Sequence, residues 1–99
     1  MNQNKRTDAK RATALKNIWK KIPGNDSATQ CQRVLAAIRE LGSVSTFEAS
    51  RFLDIYHPPA RVLTLRRNGH RIETVWCDEQ TENGEWHRVA RYVLRGRTR

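Results

Sequence analysis

Residues 42–69 read GSVSTFEASRFLDIYHPPARVLTLRRNG, and this stretch decides the fold. Gly42 stands where a left-handed helix C-cap belongs. Ser43-Val44 leaves room only for a strand stub. Ser45 precedes Glu48 by three, the capping-box spacing, in which a hydroxyl and a carboxylate satisfy free backbone N–H groups at the start of a helix. The helix opened there runs from Thr46 to Leu53, with Phe47, Ala49 and Leu53 as its apolar positions. Asp54-Ile55-Tyr56-His57 makes a turn. Pro58 suits the first position of a new helix, where its missing N–H costs nothing, and Gly69 stops that helix. Pro59, Val62 and Leu65 are its inward residues, and Leu63 is partly covered.

Upstream, Ser27 and Gln30 repeat the capping-box spacing, and Cys31, Val34, Leu35, Ile38 and Leu41 form a helical stripe. Before it, Leu15, Ile18, Trp19 and Ile22 mark one face of a basic amphipathic helix that starts at Asp8 and ends at Pro23-Gly24. That face can pack on the core or pair with a second copy, and the lysines elsewhere on the helix can follow phosphates. Residues 1–6 read as an unstructured basic start. Downstream, Arg71–Cys77 and Trp86–Leu94 are rich in strand formers. Asn83-Gly84 between them predicts a two-residue turn that pairs Glu79 with Arg88, Val75 with Tyr92 and Thr74 with Val93. The chain divides into a basic tail and helix (1–24), a folded domain (25–94) and a basic tail (95–99).

The 99 residues carry 19 Lys and Arg against 10 Asp and Glu, a formal charge of +9. Such a surplus points to a polyanion, nucleic acid before membrane. The charge is uneven: residues 1–22 carry +6 and 86–99 carry +5, whereas 71–85 carry −4. Four of those acids, Asp78, Glu79, Glu82 and Glu85, crowd the hairpin tip, where they would repel phosphate. The tip therefore either points away from DNA or, with Trp76 and Trp86, meets a protein partner. Cys31 and Cys77 lie far apart and read as buried thiols. With His57, His70 and His87 scattered, no metal-ligand spacing arises, and no cofactor is expected. No segment is long and apolar enough for a membrane span, and none resembles a signal peptide. The cytoplasm is the expected location, on the nucleoid when DNA is bound. No phosphate-binding loop or nucleophile motif is present, so the chain is not expected to be an enzyme.

Helix, strand stub, short helix, turn, helix and hairpin, in that order, make a winged helix-turn-helix. The predicted class is α+β, mainly α: a three-helix core and a C-terminal β-hairpin wing, with an extra helix at the N-terminus. In this arrangement the second helix of the pair enters the major groove and the first braces it. The stretch from Gln32 to Leu94 also resembles the small winged helix-turn-helix domains of bacteriophages and prophages. The resemblance rests on Arg33-Val34-Leu35, the run Gly42–Ala49, His57–Val62, Leu65–Gly69, Ile72-Glu73-Thr74 and Arg88–Leu94. It implies binding of double-stranded DNA by a transcription regulator, an excision or architecture factor, or a packaging helper. On the third helix of the domain, His57, Ala60, Arg61, Thr64 and Asn68 share a face, with Arg67 at its flank. Arg, Asn and Thr suit guanine, adenine and thymine edges. Phosphate contacts are expected from Ser45 and Thr46 at the start of the second helix, with Arg51 and Tyr56 as additions. Arg61 or Arg66 could instead make a structural ion pair with Glu48 or Glu73. The alternative function is a protein-interaction module working through the acidic wing and its tryptophans.

Overall fold

The structure is a computed structural model that describes the backbone of residues 3–95 and the side chains of residues 9–95. Four helices precede a hairpin: α1 (Gln3–Lys21), α2 (Ser27–Leu41), α3 (Thr46–Phe52) and α4 (Pro58–Arg67), then strands β2 (Ile72–Gln80) and β3 (Trp86–Leu94). A two-residue strand β1 (Val44–Ser45) lies between α2 and α3 and pairs with β3, so the antiparallel sheet has the order β1-β3-β2. One apolar cluster joins all of these elements. It takes Leu15 and Ile18 from α1, Val34, Ala37 and Ile38 from α2, Ala49 from α3, Leu53 and Ile55 from the turn, Val62 and Leu65 from α4, and Val44, Ile72 and Tyr92 from the sheet.

The helix boundaries follow the local chemistry at three of the expected points. Gly42 caps α2 at φ +89, a left-handed conformation that a side chain would strain. The Ser45–Glu48 capping box forms in both directions. Pro58 opens α4. At other points the structure corrects the sequence reading. α1 begins at Gln3, where an unstructured start was expected as far as residue 6. The Ser27–Gln30 box does not form. Asp26 takes the N-cap position, its carboxylate accepts the Thr29 hydroxyl proton, and the Gln30 amide donates to Asn25 O at 2.7 Å. Pro58 is buried and Pro59 exposed, the reverse of the expected orientation at the start of α4.

The hairpin departs most. Gly84 N–H donates to Thr81 O (3.0 Å) and Thr81 N–H to Glu85 O (2.8 Å). Gly84 has φ +90, whereas Asn83 is not in the left-handed region, which among the described residues other than glycine only Asp54 enters. The loop is therefore a tight turn followed by a left-handed glycine, not the two-residue turn that needs positive φ twice. The longer loop slips the register by one: Glu79 faces His87, Val75 faces Arg91 and Thr74 faces Tyr92. A slip of one exchanges the faces on which side chains meet.

Two arginines fasten the helices. Arg33 is fully buried, and its Nη1 donates to Ile22 O (2.7 Å) and Gly24 O (2.9 Å), closing the exit of α1 onto α2. A cation also suits the negative end of the α1 dipole. Arg66 Nε donates to Ile72 O (2.8 Å) and its Nη2 to Thr74 Oγ1 (3.0 Å), tying α4 to β2 through neutral acceptors and not through the acid considered as an alternative partner. Burial of the α1 face has a measurable consequence. Leu15 is 0% exposed, so Leu15→Ala should cost about 2–4 kcal/mol and lower the melting temperature by about 10 °C or more. A thermal denaturation curve indistinguishable from wild type would show that α1 is only appended to the domain.

Candidate nucleic-acid interface

A chain of charges sets the wing against the helices. Glu48, on the first turn of α3, accepts from Arg11 of α1 (Nε to Oε2, 2.8 Å), from its own cap residue Ser45 N–H (3.0 Å) and from Arg91 of β3 (Nη1 to Oε1, 3.3 Å). Arg91 also donates to Ser43 Oγ (2.8 Å) and, through Nη2, to Glu79 of β2 (2.6 Å). Glu79 accepts the Ser45 hydroxyl at 3.0 Å. All four charged side chains are a quarter exposed or less. Burial alone would raise the Glu48 carboxyl. The hydrogen bonds from Arg11 and Ser45, with the charges of Arg91 and Arg11, outweigh it and hold that carboxyl below its ordinary value. Burial likewise opposes charge on Arg91, and Glu48, Cys77 and Glu79 more than offset it.

This arrangement changes the roles read from the sequence. Ser45 is buried with its hydroxyl bonded to Glu48 N–H and Glu79, and Thr46 Oγ1 lies 3.4 Å from Ala90 O and 3.2 Å from Tyr92 Oη. Both hydroxyls are thus engaged within the fold, and the Glu48 carboxylate stands beside the α3 N-terminus, so a phosphate contact there falls to the backbone N–H groups that follow the cap. Glu79 is part of the framework and not of a repulsive wing surface. Two more acids in this part of the chain are paired: Glu82 with Arg51 (3.6 Å) and Glu73 with Arg95 (2.8 Å). Of the tip acids, Asp78 and Glu85 are exposed and make no ion pair among the described residues.

The remaining expected positions gather around α4. Tyr56, 97% exposed, and His57, the N-cap, stand at its start, and Arg67 and Asn68 are exposed at its end. Arg61 and Thr64 are half-buried. The Arg61 carbonyl accepts the Cys31 thiol of α2 (3.7 Å), which places this flank of α4 against α2. The Arg61 guanidinium makes no hydrogen bond or ion pair among the described residues, so the structural ion pair considered for it is not formed. With Val62 and Leu65 buried, the exposed arc runs through Pro59, Leu63 and Arg67. It is thus turned from the Arg61–Thr64 line toward the wing. Arg51 lies apart from this arc, on α3 beneath the wing tip.

Residues directly opposed in an antiparallel pair share a face. One face of the hairpin begins with Ile72 and Tyr92 in the core and continues outward through Trp76, Ala90, Asp78 and Arg88. It borders α4 across an open cleft of about 440 Å³ whose walls include Pro59, Arg66, Thr74, Trp76 and Arg88. The Arg88 guanidinium lies over the Trp76 ring, 5.8 Å from its centroid, and Trp76 is 58% exposed. Sequence reasoning passed over Arg88, because the register expected for the two-residue turn put it opposite Glu79, whereas it faces Asp78. Arg11 and Arg91 were read only as bulk positive charge.

Among the described residues no group of three His, Cys, Asp or Glu could hold a metal ion, and no helix is long and apolar enough to cross a membrane. Cys31 is buried as expected, and its thiol is raised by that burial, whereas Cys77 is partly exposed. A helix-turn-helix of α3 and α4, braced by α2 and followed by a β-hairpin beside its second helix, defines a DNA-binding class of fold that is not itself catalytic. The family model described as a winged helix-turn-helix domain matches residues 29–97, and the chain belongs to that family. Comparisons with the curated proteins and with the solved structures return no match.

The charge network makes a pH-dependent contribution of predictable sign. A carboxyl whose value is lowered by folding stabilises the protein above its unfolded value, about 4.3 for Glu. That stability is lost as pH falls through the lowered folded value. Glu48→Gln should therefore cost about 2–4 kcal/mol at pH 7 and flatten the acid limb of the stability curve. Chemical denaturation between pH 7 and pH 3 measures both. An unchanged acid limb in the variant would remove Glu48 as its source.

Proposed function

We propose that the chain binds double-stranded DNA in a sequence-dependent manner. On this reading α4 enters the major groove, and the hairpin face carrying Trp76 and Arg88 follows the flanking backbone. The observation that carries this reading is the α4 surface. A short helix, fixed from behind by Val62 and Leu65 and at its wing flank by Arg66, presents His57, Arg67 and Asn68 outward, with Arg61 at the other flank. The positive surplus of the chain supports it. So do two placements on the wing: Glu79 is held inside, and Arg88 faces the α4 cleft, where it stands opposite the one exposed acid of that face, Asp78. A small basic reader of this kind fits a regulator or an excision or architecture factor of the phage or prophage type. Pairing of two copies through α1 has less to draw on than the sequence suggested, since Leu15 and Ile18 are used inside the domain and Trp19 is the larger apolar side chain left partly outside.

A second reading has one observation in its favour. Trp86, 66% exposed, stands at the wing tip beside the unpaired Glu85, an aromatic and acidic corner suited to a basic protein surface. Glu82→Gln with Glu85→Gln separates the two readings. Under the DNA reading, affinity for duplex DNA rises slightly or stays level. A loss of self-association or of partner capture at constant DNA affinity would favour the protein contact.

Fluorescence anisotropy on a labelled random duplex tests the main reading, with salt raised stepwise. Binding should weaken linearly in log affinity against log salt as counterions are displaced, and absence of binding at low salt would overturn it. Arg88→Ala should weaken all sequences alike and reduce the salt slope by about 1, as expected of a phosphate contact. Arg67→Ala should cost about 1–3 kcal/mol on a preferred site and much less on random DNA. Equal losses for Arg67→Ala on both duplexes would make Arg67 a backbone contact.

A further inference from the structure

The middle of α4 has little with which to hydrogen-bond a base edge. Leu63 on its exposed arc and half-buried Ala60 beside it carry no polar side-chain atom. Thr64 donates its hydroxyl proton to Ala60 O at 3.1 Å, so that proton is not free for a base. Arg66 is held by Ile72 O and Thr74 on the wing flank, and Arg61 is half-buried on the opposite flank. The side chains able to hydrogen-bond a base lie at the two ends of the arc: His57 before α4, Arg67 and Asn68 at its close. Leu63 occupies the centre. It is 46% exposed, although its neighbours Val62 and Leu65 are at most 4% exposed.

A single exposed leucine on a protein surface is ordinary. Leu63 differs by its place, because it stands where the proposed complex excludes water. Among the base-edge groups of the major groove, the C5 methyl of thymine is the bulky apolar one, where cytosine has only a hydrogen. Resting on the DNA-binding reading above, we propose that Leu63 reads a thymine methyl at the centre of the bound site. Arg67 and Asn68 read base edges by hydrogen bonds toward one end. The site is thus specified at its middle by shape and methyl burial, and at its edge by donors and acceptors.

The test begins with duplexes selected from a random pool by the wild-type protein. Each thymine of a selected duplex is then replaced singly by deoxyuridine, which removes only the methyl. One central position should lose about fourfold in affinity, the value of burying one methyl group, and 5-methylcytosine there should bind better than cytosine. Leu63→Ala should stay folded and melt within a few degrees of wild type, because the side chain is nearly half exposed, and should bind the thymine and uracil duplexes equally. Two results overturn the proposal while leaving DNA binding intact: no single uracil replacement weakens the wild type, or Leu63→Ala keeps the full thymine preference. If no duplex is retained from the pool at low salt, the DNA-binding reading itself fails and this proposal falls with it.

Discussion

The Glu48 carboxylate is the point on which the arrangement of elements depends. It accepts from the N–H that begins α3, from Arg11 of α1 and from Arg91 of β3, and Arg91 passes the contact on to Glu79 of β2. Charges this far from water are tolerated only when each has a well-placed partner. The constraint is therefore mutual. α1, the helix pair and the hairpin share one charge network, and none can shift without leaving a partner exposed to that cost. The apolar cluster draws the same elements together without direction. The network gives them their angles, and so decides that the Arg88 face of the hairpin borders α4.

Much of the fold was legible because its signals are local. The Ser45–Glu48 box, Gly42 and Pro58 each act on backbone groups within a few residues, and each does what its spacing implies. The hairpin register was not legible from the Asn83-Gly84 pair. Both the two-residue loop and the longer one place glycine in the left-handed region, and the choice between them rests on whether Asn83 enters it too. Cross-strand pairing with the core, through Ile72 opposite Leu94 and Thr74 opposite Tyr92, settles that choice from outside the turn. The candidate site was legible in part for a related reason. The end residues of α4 are exposed wherever the helix sits. Its middle depends on rotation, and the burial of Pro58 in place of Pro59 turns Leu63 outward and Arg61 toward α2.

Local sequence charge also misled about the wing. The −4 of residues 71–85 reads as a repellent surface, yet the side chains are distributed over both faces and the tip of the hairpin, and Glu79 is neutralised within the framework by Arg91. Arg33 shows the converse. A residue type found mostly at surfaces is fully buried here and donates to the carbonyls of Ile22 and Gly24 just past the end of α1, while its Nε and Nη2 are left without partners among the described residues. That clamp lies at the seam where the family match begins, at residue 29. It joins α1, outside the match, to the core of the domain.

The wing turn itself has a further meaning for how such a protein can diversify. Strand pairing ends at Gln80 opposite Trp86, and the buried charges stop one residue earlier, at Glu79. Beyond that point the loop is closed by its own backbone bonds around Gly84, and the one ion pair that holds it to α3 among the described residues is the solvent-exposed contact of Glu82 with Arg51. An exposed pair of that kind contributes little. The five residues from Thr81 to Glu85 are thus mechanically insulated from the domain. Their length, charge and aromatic content can be exchanged as a cassette while the geometry of α4 stays fixed. Affinity for whatever the tip meets can evolve or be engineered separately from the surface that α4 presents.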